Sequence, residues 1–336
     1  MKKLAITMAA AAGIAAMSFG AAADEASYKV GVVKFVDHAS LNQIEDSLEE
    51  RLAEIGEADG VGFEILGYNG NADGSQLQQI GAELVSEGAD VIVAIATPAA
   101  QVLQAATEDD NIPIIFSAVT DPVGANLVKS LEEPGGNMTG TSDALNTNTV
   151  MELIFAADPE AEKIGLLYSN SEDASKLPIQ EAKAFLDDKG IGYVEKTGTT
   201  TDEVNAAVDA LIAEGVDAIF TPTDNTIMNA ELAIFEKLQE AGIPHYAGAD
   251  SFALNGAFLG FGVNYVDLGI ETANMVADLL ENEKTPDQIP VVTFDSGIAT
   301  INTETAEAIG MDLEAVKEAF GPFCSEIVET QTAQEF

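Results

Sequence analysis

The chain has 336 residues, with 57 Asp or Glu against 14 Lys or Arg and a formal net charge of −43. So negative a surface repels nucleic acid and anionic lipid, and neither is expected as a partner. The hydrophobic content of 47% is that of a folded chain rather than a disordered acidic tail, and the length suits two domains.

Met1-Lys2-Lys3, an apolar run from Leu4 to about Phe19, and Gly20-Ala21-Ala22-Ala23 follow the order of a secretory leader. Cleavage is expected after Ala23, making residues 1–23 a signal peptide. No Cys stands near that point, so a lipid-attached N-terminus is not expected, and no later run reaches the roughly 20 apolar residues that span a bilayer. The mature chain is expected to be soluble and periplasmic or secreted. Its one cysteine, Cys324, allows no internal disulfide, so stability must come from packing. That thiol is either a bland terminal group or a link to another chain; a monomer is expected.

Along the mature chain, Tyr28–Phe35 reads as a strand, and Leu41, Ile44, Leu48, Leu52 and Ile55 then recur at helical spacing. Gly62–Tyr68 is a second strand, Gln76–Ser86 a helix closed by Gly88, Val91–Ala96 a third strand, Ala99–Thr107 a third helix and Pro113–Ser117 a fourth strand. Pro134–Asp143 reads as a crossing. The alternation restarts with strand Lys163–Tyr168, helix Ser175–Lys189, strand Ile191–Lys196, helix Thr201–Glu214, strand Ala218–Thr221, helix Ile227–Ala241 and strand Pro244–Ala247. A second crossing fits near Gly262–Tyr265, a helix covers Val266–Leu280, and Pro290–Thr300 is a last strand region with a possible third crossing. Strand–helix alternation of this kind predicts an α/β fold with parallel sheets. The halves echo each other: "GADVIVAIATPAAQ" and "GVDAIFTPTDNTI" both run from Gly-x-Asp through an apolar strand to Thr-Pro and a helix. Two copies at so long a period predict two lobes of one fold, not a solenoid. Residues 24–142 with about 265–290 are assigned to one lobe, and 143–264 with about 291–336 to the other.

Ligands of parallel sheets sit beyond the carboxyl ends of the strands. That rule selects the loops 35–38, 97–100, 117–121, 168–171, 223–225 and 248–252, which carry hydroxyls, short amides, acids and aromatics suited to a small polar or zwitterionic ligand. At Thr97-Pro98 the break in the apolar run offers a helix start, whose free N–H groups favour an anion; the alternative is an ordinary turn. No nucleophile elbow, phosphate loop, metalloprotease motif or dinucleotide fingerprint is present. The two histidines are His38, in a candidate loop and either ligand-facing or a plain loop residue, and His245, inside a strand and expected to be structural. Asn69–Gly74 opens like a calcium loop, but Ile80 stands where the twelfth-position acid is required, and the stretch reads as an Asx-rich turn. No metal, cofactor or catalytic residue is expected.

Strand Tyr28–Phe35 with "DHASL", "NADGSQLQQI", "VIVAIATPAAQ", "IPIIFSAVTDPVGANLV", "GGNMTGTSD", "LLYSNSEDAS", "TPTDNTIM" and "FGVNYVDLG" resembles the ABC-transporter substrate-binding proteins of the tryptophan/tyrosine type, over about Tyr28 to Phe320. The resemblance implies the type I periplasmic-binding-protein fold. It implies two hinged lobes that close on an amino acid, often aromatic, and deliver it to a membrane permease and its ATPase. By similarity Thr97, Ala118 and Thr120 hold the ligand's α-carboxylate, with Ser171 and Ser175 assisting from the other lobe. Asp224 and Asp250 take the ammonium group, although one of them could serve a hinge or loop instead. Phe35, Tyr168, Tyr246 and Phe252 pack the side chain or simply fill the core. His38, Pro98, Asp121, Asn170 and Asn225, in the same loops, complete the candidate set. The rival functions are a receptor's ligand-binding sensor subunit with the same fold, and an exported hydrolase.

Overall fold

A computed structural model describes residues 27–333. The expected leader, its cleavage site and the absence of a lipid-bearing Cys lie outside the described residues. Among the described residues no helix is long and apolar enough to cross a membrane.

The first unit runs β1 (Ser27–Lys34), α1 (Ala39–Asp59), β2 (Gly62–Asn69), α2 (Gly74–Glu87), β3 (Val91–Ile95), α3 (Thr97–Ala106), β4 (Ile114–Ser117) and β5 (Met138–Ser142). The chain then builds α4 (Thr147–Ala157), β6 (Lys163–Tyr168), α5 (Lys176–Lys189), β7 (Gly192–Thr197), α6 (Thr201–Glu214), β8 (Ala218–Thr221), α7 (Asn225–Ala241), β9 (His245–Ala247), α8 (Asp250–Leu254) and β10 (Leu259–Gly262). It ends with α9 (Tyr265–Glu281), β11 (Val292–Thr293), β12 (Ile298–Asn302), α10 (Thr303–Ala308), α11 (Leu313–Phe320) and β13 (Glu326–Thr330).

These strands form two sheets, ordered β11-β5-β4-β3-β1-β2 and β13-β12-β10-β9-β8-β6-β7. The shared 2-1-3-4-5 order is the doubly wound pattern, with a switch point beside the first strand of each half. Every pairing is parallel except β10 with β12. Helices cover both faces, so a central strand such as β3 is wholly apolar and wholly buried. This is the two-lobed α/β fold of the type I periplasmic binding proteins.

Residues 143–146, 263–264 and 294–297 carry the chain from one sheet to the other. The region Pro290–Thr300 therefore splits: β11 lies in the first sheet, past the boundary expected at about 290, and β12 lies in the second. Met138–Ser142, read as part of a crossing, is instead a fully buried strand. Its alternating small and hydroxyl residues carry a weak apolar signal, and sheet pairing decides its state. α9 returns across the gap and lies along α1, where a Cβ on Gly269 would stand 2.1 Å from the Ser47 hydroxyl and 2.4 Å from the Ile44 carbonyl. Only a glycine lets the two helices approach so closely.

Candidate ligand-binding site

The carboxyl ends of the two sheets face each other across a narrow cavity with about 30 Å³ of accessible volume. The lobes touch around it. His38 meets Asn225 at 3.2 Å, Ser40 donates to Asp250 at 2.7 Å, the Thr120 and Thr223 hydroxyls are 2.8 Å apart, and Gln101 donates to Asp173 at 3.0 Å.

Three helices begin at the cavity with no side-chain cap: α1 after His38, α3 after Ala96 and α8 after Ala249. Elsewhere Asp73, Asn146, Thr200, Asn264, Asn302 and Asp312 cap the helices they precede. The first-turn N–H groups of a helix have no partner within it, and aligned peptide dipoles make that end positive. Pro98 sits in the first turn of α3, where a missing N–H costs least. The backbone is bent at the same place: Ala96 has φ 83° and Ala118 φ 54°, left-handed values for residues with a Cβ. Both follow directly on strands and both line the cavity.

The remaining wall combines Leu41, Ala174, Met228, Phe252 and Tyr265 with the polar groups of Thr97, Thr223, Ser251, Asn225, Asp143 and Asp224. No Lys or Arg lines it. The Oγ1 of Thr97, the Oγ of Ser251 and the Nδ1 of His38 are buried without a partner. Asn225 presents its Oδ1 to His38 because its Nδ2 donates to Glu172 at 2.8 Å. His38 therefore donates from Nε2, and its Nδ1 is a free acceptor. Burial holds the imidazole neutral, pulling its pKa down to about 4.

Asp224 caps α7 and accepts three hydrogen bonds: from the Ile227 N–H at 3.0 Å, the Ser169 N–H at 2.6 Å and the Ser175 hydroxyl at 2.6 Å. Burial, reinforced by the neighbouring Glu172, pushes its pKa well up. Glu172 is itself satisfied by the backbone and side chains of Asn225 and Thr226.

Of the residues singled out in the sequence, His38, Thr97, Ala118, Thr120, Asp224, Asn225 and Phe252 line the cavity. The others lie elsewhere. Pro98 is half-buried behind the helix start, and Asp121 caps its own turn through the Gly124 N–H. Asn170 and Ser171 are exposed, and Ser175 is buried against Asp224. Phe35 and Tyr246 belong to the hydrophobic cores, and Tyr168 packs on one while its hydroxyl donates to Glu195. Asp250 points not into the cavity but at Ser40 and Gln43 of α1, which makes it a contact between lobes. His245 is a buried structural residue between Glu231 and Thr221. Asn69–Asp73 forms a turn in which Asp73 caps α2. Among the described residues no cluster of three His, Cys, Asp or Glu side chains is placed to hold a metal ion.

Sequence reasoning missed Asp143 and Tyr265. Both lie at crossings between sheets and both line the cavity. Asp143 accepts from the Thr120 hydroxyl at 3.0 Å, and the Tyr265 hydroxyl lies 3.5 Å from its other oxygen. Burial raises its pKa to about 6. The only available signal was position: an acid directly after a hydroxyl-rich strand at the lobe boundary.

The model of the ABC transporter substrate binding protein family matches residues 29–319. The chain belongs to that family. This ABC transporter substrate-binding protein is 36% identical over 282 residues to the "Tyrosine-binding protein" of Clostridioides difficile, covering 84% of this chain and 81% of the relative. A Streptococcus pneumonia ABC domain solved in complex with L-Trp superposes with a TM-score of 0.81 at 35% identity, covering 90% of this chain and 100% of the other. A ligand-free, open substrate-binding protein from Clostridium difficile gives a TM-score of 0.67 at 32% identity, covering 91% and 100%.

Proposed function

We propose that this protein is the exported binding component of an ABC importer, working in the periplasm or outside the cell. It takes up an aromatic amino acid by closing its lobes and presents the closed form to a permease and its ATPase. The observation that carries the reading is the cavity itself, set between the lobes, with uncapped helix starts on its walls and buried carboxylates but no cationic side chain. Such a site suits a zwitterion. The α-carboxylate fits the first turns of α1 and α3, near Thr97 and the bent Ala118, because free N–H groups and the helix dipole replace the missing Arg. Leu41, Met228, Phe252 and Tyr265 offer the ligand side chain an apolar and aromatic bed. The tyrosine-binding relative and the Trp-bound neighbour support the aromatic choice.

Closure is a hinge motion across the three crossings, and its population is set by the extra affinity of the closed state for ligand. Calorimetry on refolded, ligand-free protein with tryptophan, tyrosine, phenylalanine and leucine tests the reading. Tight binding of at least one aromatic amino acid is expected. Tight leucine binding with none of the three aromatics would remove the aromatic assignment.

A further inference from the structure

We propose that Glu172 is a positioning residue that, through Asn225, holds His38 in the tautomer whose Nδ1 accepts, and that this acceptor selects ligands whose aromatic ring bears an N–H or O–H group. The inference rests on the amino-acid reading above.

Glu172 does not line the cavity. It is buried, just before the 3-10 turn over Asp173–Ser175. Four donors from the start of α7 converge on it. The Thr226 N–H and hydroxyl reach Oε1 at 2.7 and 2.6 Å, and the Asn225 N–H and Nδ2 reach Oε2 at 3.1 and 2.8 Å. A carboxylate only accepts, so the Asn225 amide has one allowed orientation, with Nδ2 toward Glu172 and Oδ1 toward His38. An amide oxygen also only accepts, so the proton of the neutral imidazole sits on Nε2. The tautomer of a ring in one lobe is thus fixed by a carboxylate in the other.

His38 lines the cavity, and its Nδ1 is buried without a partner. Its surroundings define the partner it lacks. Leu41 stands three residues along from His38 at the head of α1, and Met228 three residues along α7 from Asn225; both line the same cavity. Side chains at that spacing share a helix face, so the His38–Asn225 pair lies beside two aliphatic groups of the apolar bed. Ligand atoms that reach this part of the wall belong to the ligand's side chain.

The lone pair on Nδ1 repels a carboxylate, and an ammonium group has the buried carboxylates of Asp143 and Asp224 elsewhere in the wall. What matches Nδ1 is a neutral donor carried on an aromatic ring: the indole N–H of tryptophan or the phenol O–H of tyrosine. Phenylalanine leaves the acceptor unpaired, and a site built to bond a ligand O–H or N–H rejects the analogue that lacks it. Burial keeps the imidazole neutral and so preserves the acceptor.

The test is calorimetry with two matched ligand pairs: tyrosine with phenylalanine, and tryptophan with benzothienylalanine, whose sulfur replaces the indole N–H. Wild type is expected to favour the donor-bearing member of at least one pair by about tenfold or more. Glu172→Gln presents an amide N–H to Asn225, which lets the Asn225 amide turn over and moves the histidine proton to Nδ1. The preference should then vanish or invert. His38→Leu should bind both members of the pair alike, and it decides the matter if Glu172→Gln fails to fold. The chain has only two histidines, so nitrogen NMR of histidine-labelled protein reads the tautomer directly. His38 should carry its proton on Nε2 in wild type and on Nδ1 in Glu172→Gln, a change that destabilisation alone would not produce. The assignment is overturned by equal wild-type affinities within both pairs, as when Nδ1 holds only a buried water, or by a preference that survives His38→Leu. It is equally overturned by a wild-type His38 protonated on Nδ1, or by a folded Glu172→Gln protein that keeps both tautomer and preference. Each of these leaves the amino-acid reading standing. If wild type binds none of the four ligands, both fall.

Discussion

The Nε2 of His38, at the head of α1, donates to the Oδ1 of Asn225, at the head of α7, across 3.2 Å of buried interface. This bond is one of several between the lobes, and it requires a neutral imidazole, because a proton on Nδ1 would find no acceptor.

That requirement makes stability depend on pH. The pKa of His38 falls from 6.5 to about 4 on folding. Its contribution is present above 6.5 and is lost as pH falls toward 4, where the unfolded chain takes up a proton that the folded one refuses. Asp143 works in the opposite sense, since its pKa rises from 3.8 to about 6 and the folded state gains stability as pH falls through that range. Urea unfolding at pH 7.5 and pH 4.5 should separate them. In an Asp143→Asn background the loss at low pH should grow, and adding His38→Gln should shrink it.

Asp250 joins α8 to Ser40 and Gln43 of α1. Asp250→Ala removes two bonds that exist only with the lobes together, and hydrogen bonds to a charged group contribute about 1.5–3 kcal/mol each. Ligand affinity should fall about tenfold or more with little change in the stability of the ligand-free protein. Calorimetry and thermal unfolding on the same variant check both halves.

Asp224 supports structure before it meets any ligand. Asp224→Ala strips the cap from α7 and strands the Ser169 N–H and the Ser175 hydroxyl. Losing a cap costs about 0.5–2 kcal/mol and each stranded buried donor about 1–3 kcal/mol, so the ligand-free protein should lose about 3 kcal/mol or more. Ser175→Ala should cost far less, since Asp224 then loses one of its three donors and keeps the other two. Denaturant melts of both variants provide the comparison.

Gly269 sets the approach of α9 to α1. Gly269→Ala forces a methyl group onto the Ile44 carbonyl, and overpacking of this kind costs about 1–3 kcal/mol. The midpoint of thermal unfolding should drop even though alanine is the better helix former.

The net charge of −43 predicts self-repulsion that salt relieves. The melting temperature should rise from low ionic strength to about 0.15 M salt, where charges are screened beyond about 8 Å. A flat response would mean that the acids are too evenly spread to repel.

The cavity was legible in part because strand ends are legible. Five of the six loops chosen by that rule supply lining residues: His38, Thr97, Thr120, Asp224 and Phe252 each come from a different one. The sixth fails. Tyr168, Asn170 and Ser171 turn away, and a short 3-10 turn over Asp173–Ser175 brings Ala174 to the wall instead. A strand end marks where a side chain can point inward, not whether the following turn lets it. Aromatic residues were harder still. Phe35, Tyr246 and Phe252 all lie at or near the carboxyl ends of strands, yet only Phe252 reaches the cavity, because packing against the sheet and facing the cleft have the same local pattern.

Local sequence was enough for the strand–helix alternation, the duplicated halves and the proline that opens α3, because each depends on hydrophobic period, turn chemistry or a fixed φ within a few residues. It was also enough to recognise the family. The pairing of Asp143 with Thr120 and Tyr265, the engagement of Asp250 by α1 and the transfer of β11 to the first sheet were decided only by the folded chain. Each depends on segments more than twenty residues apart meeting across a sheet or a lobe boundary, and whether a buried carboxylate has spare acceptors follows from who its distant neighbours are, not from the residues beside it.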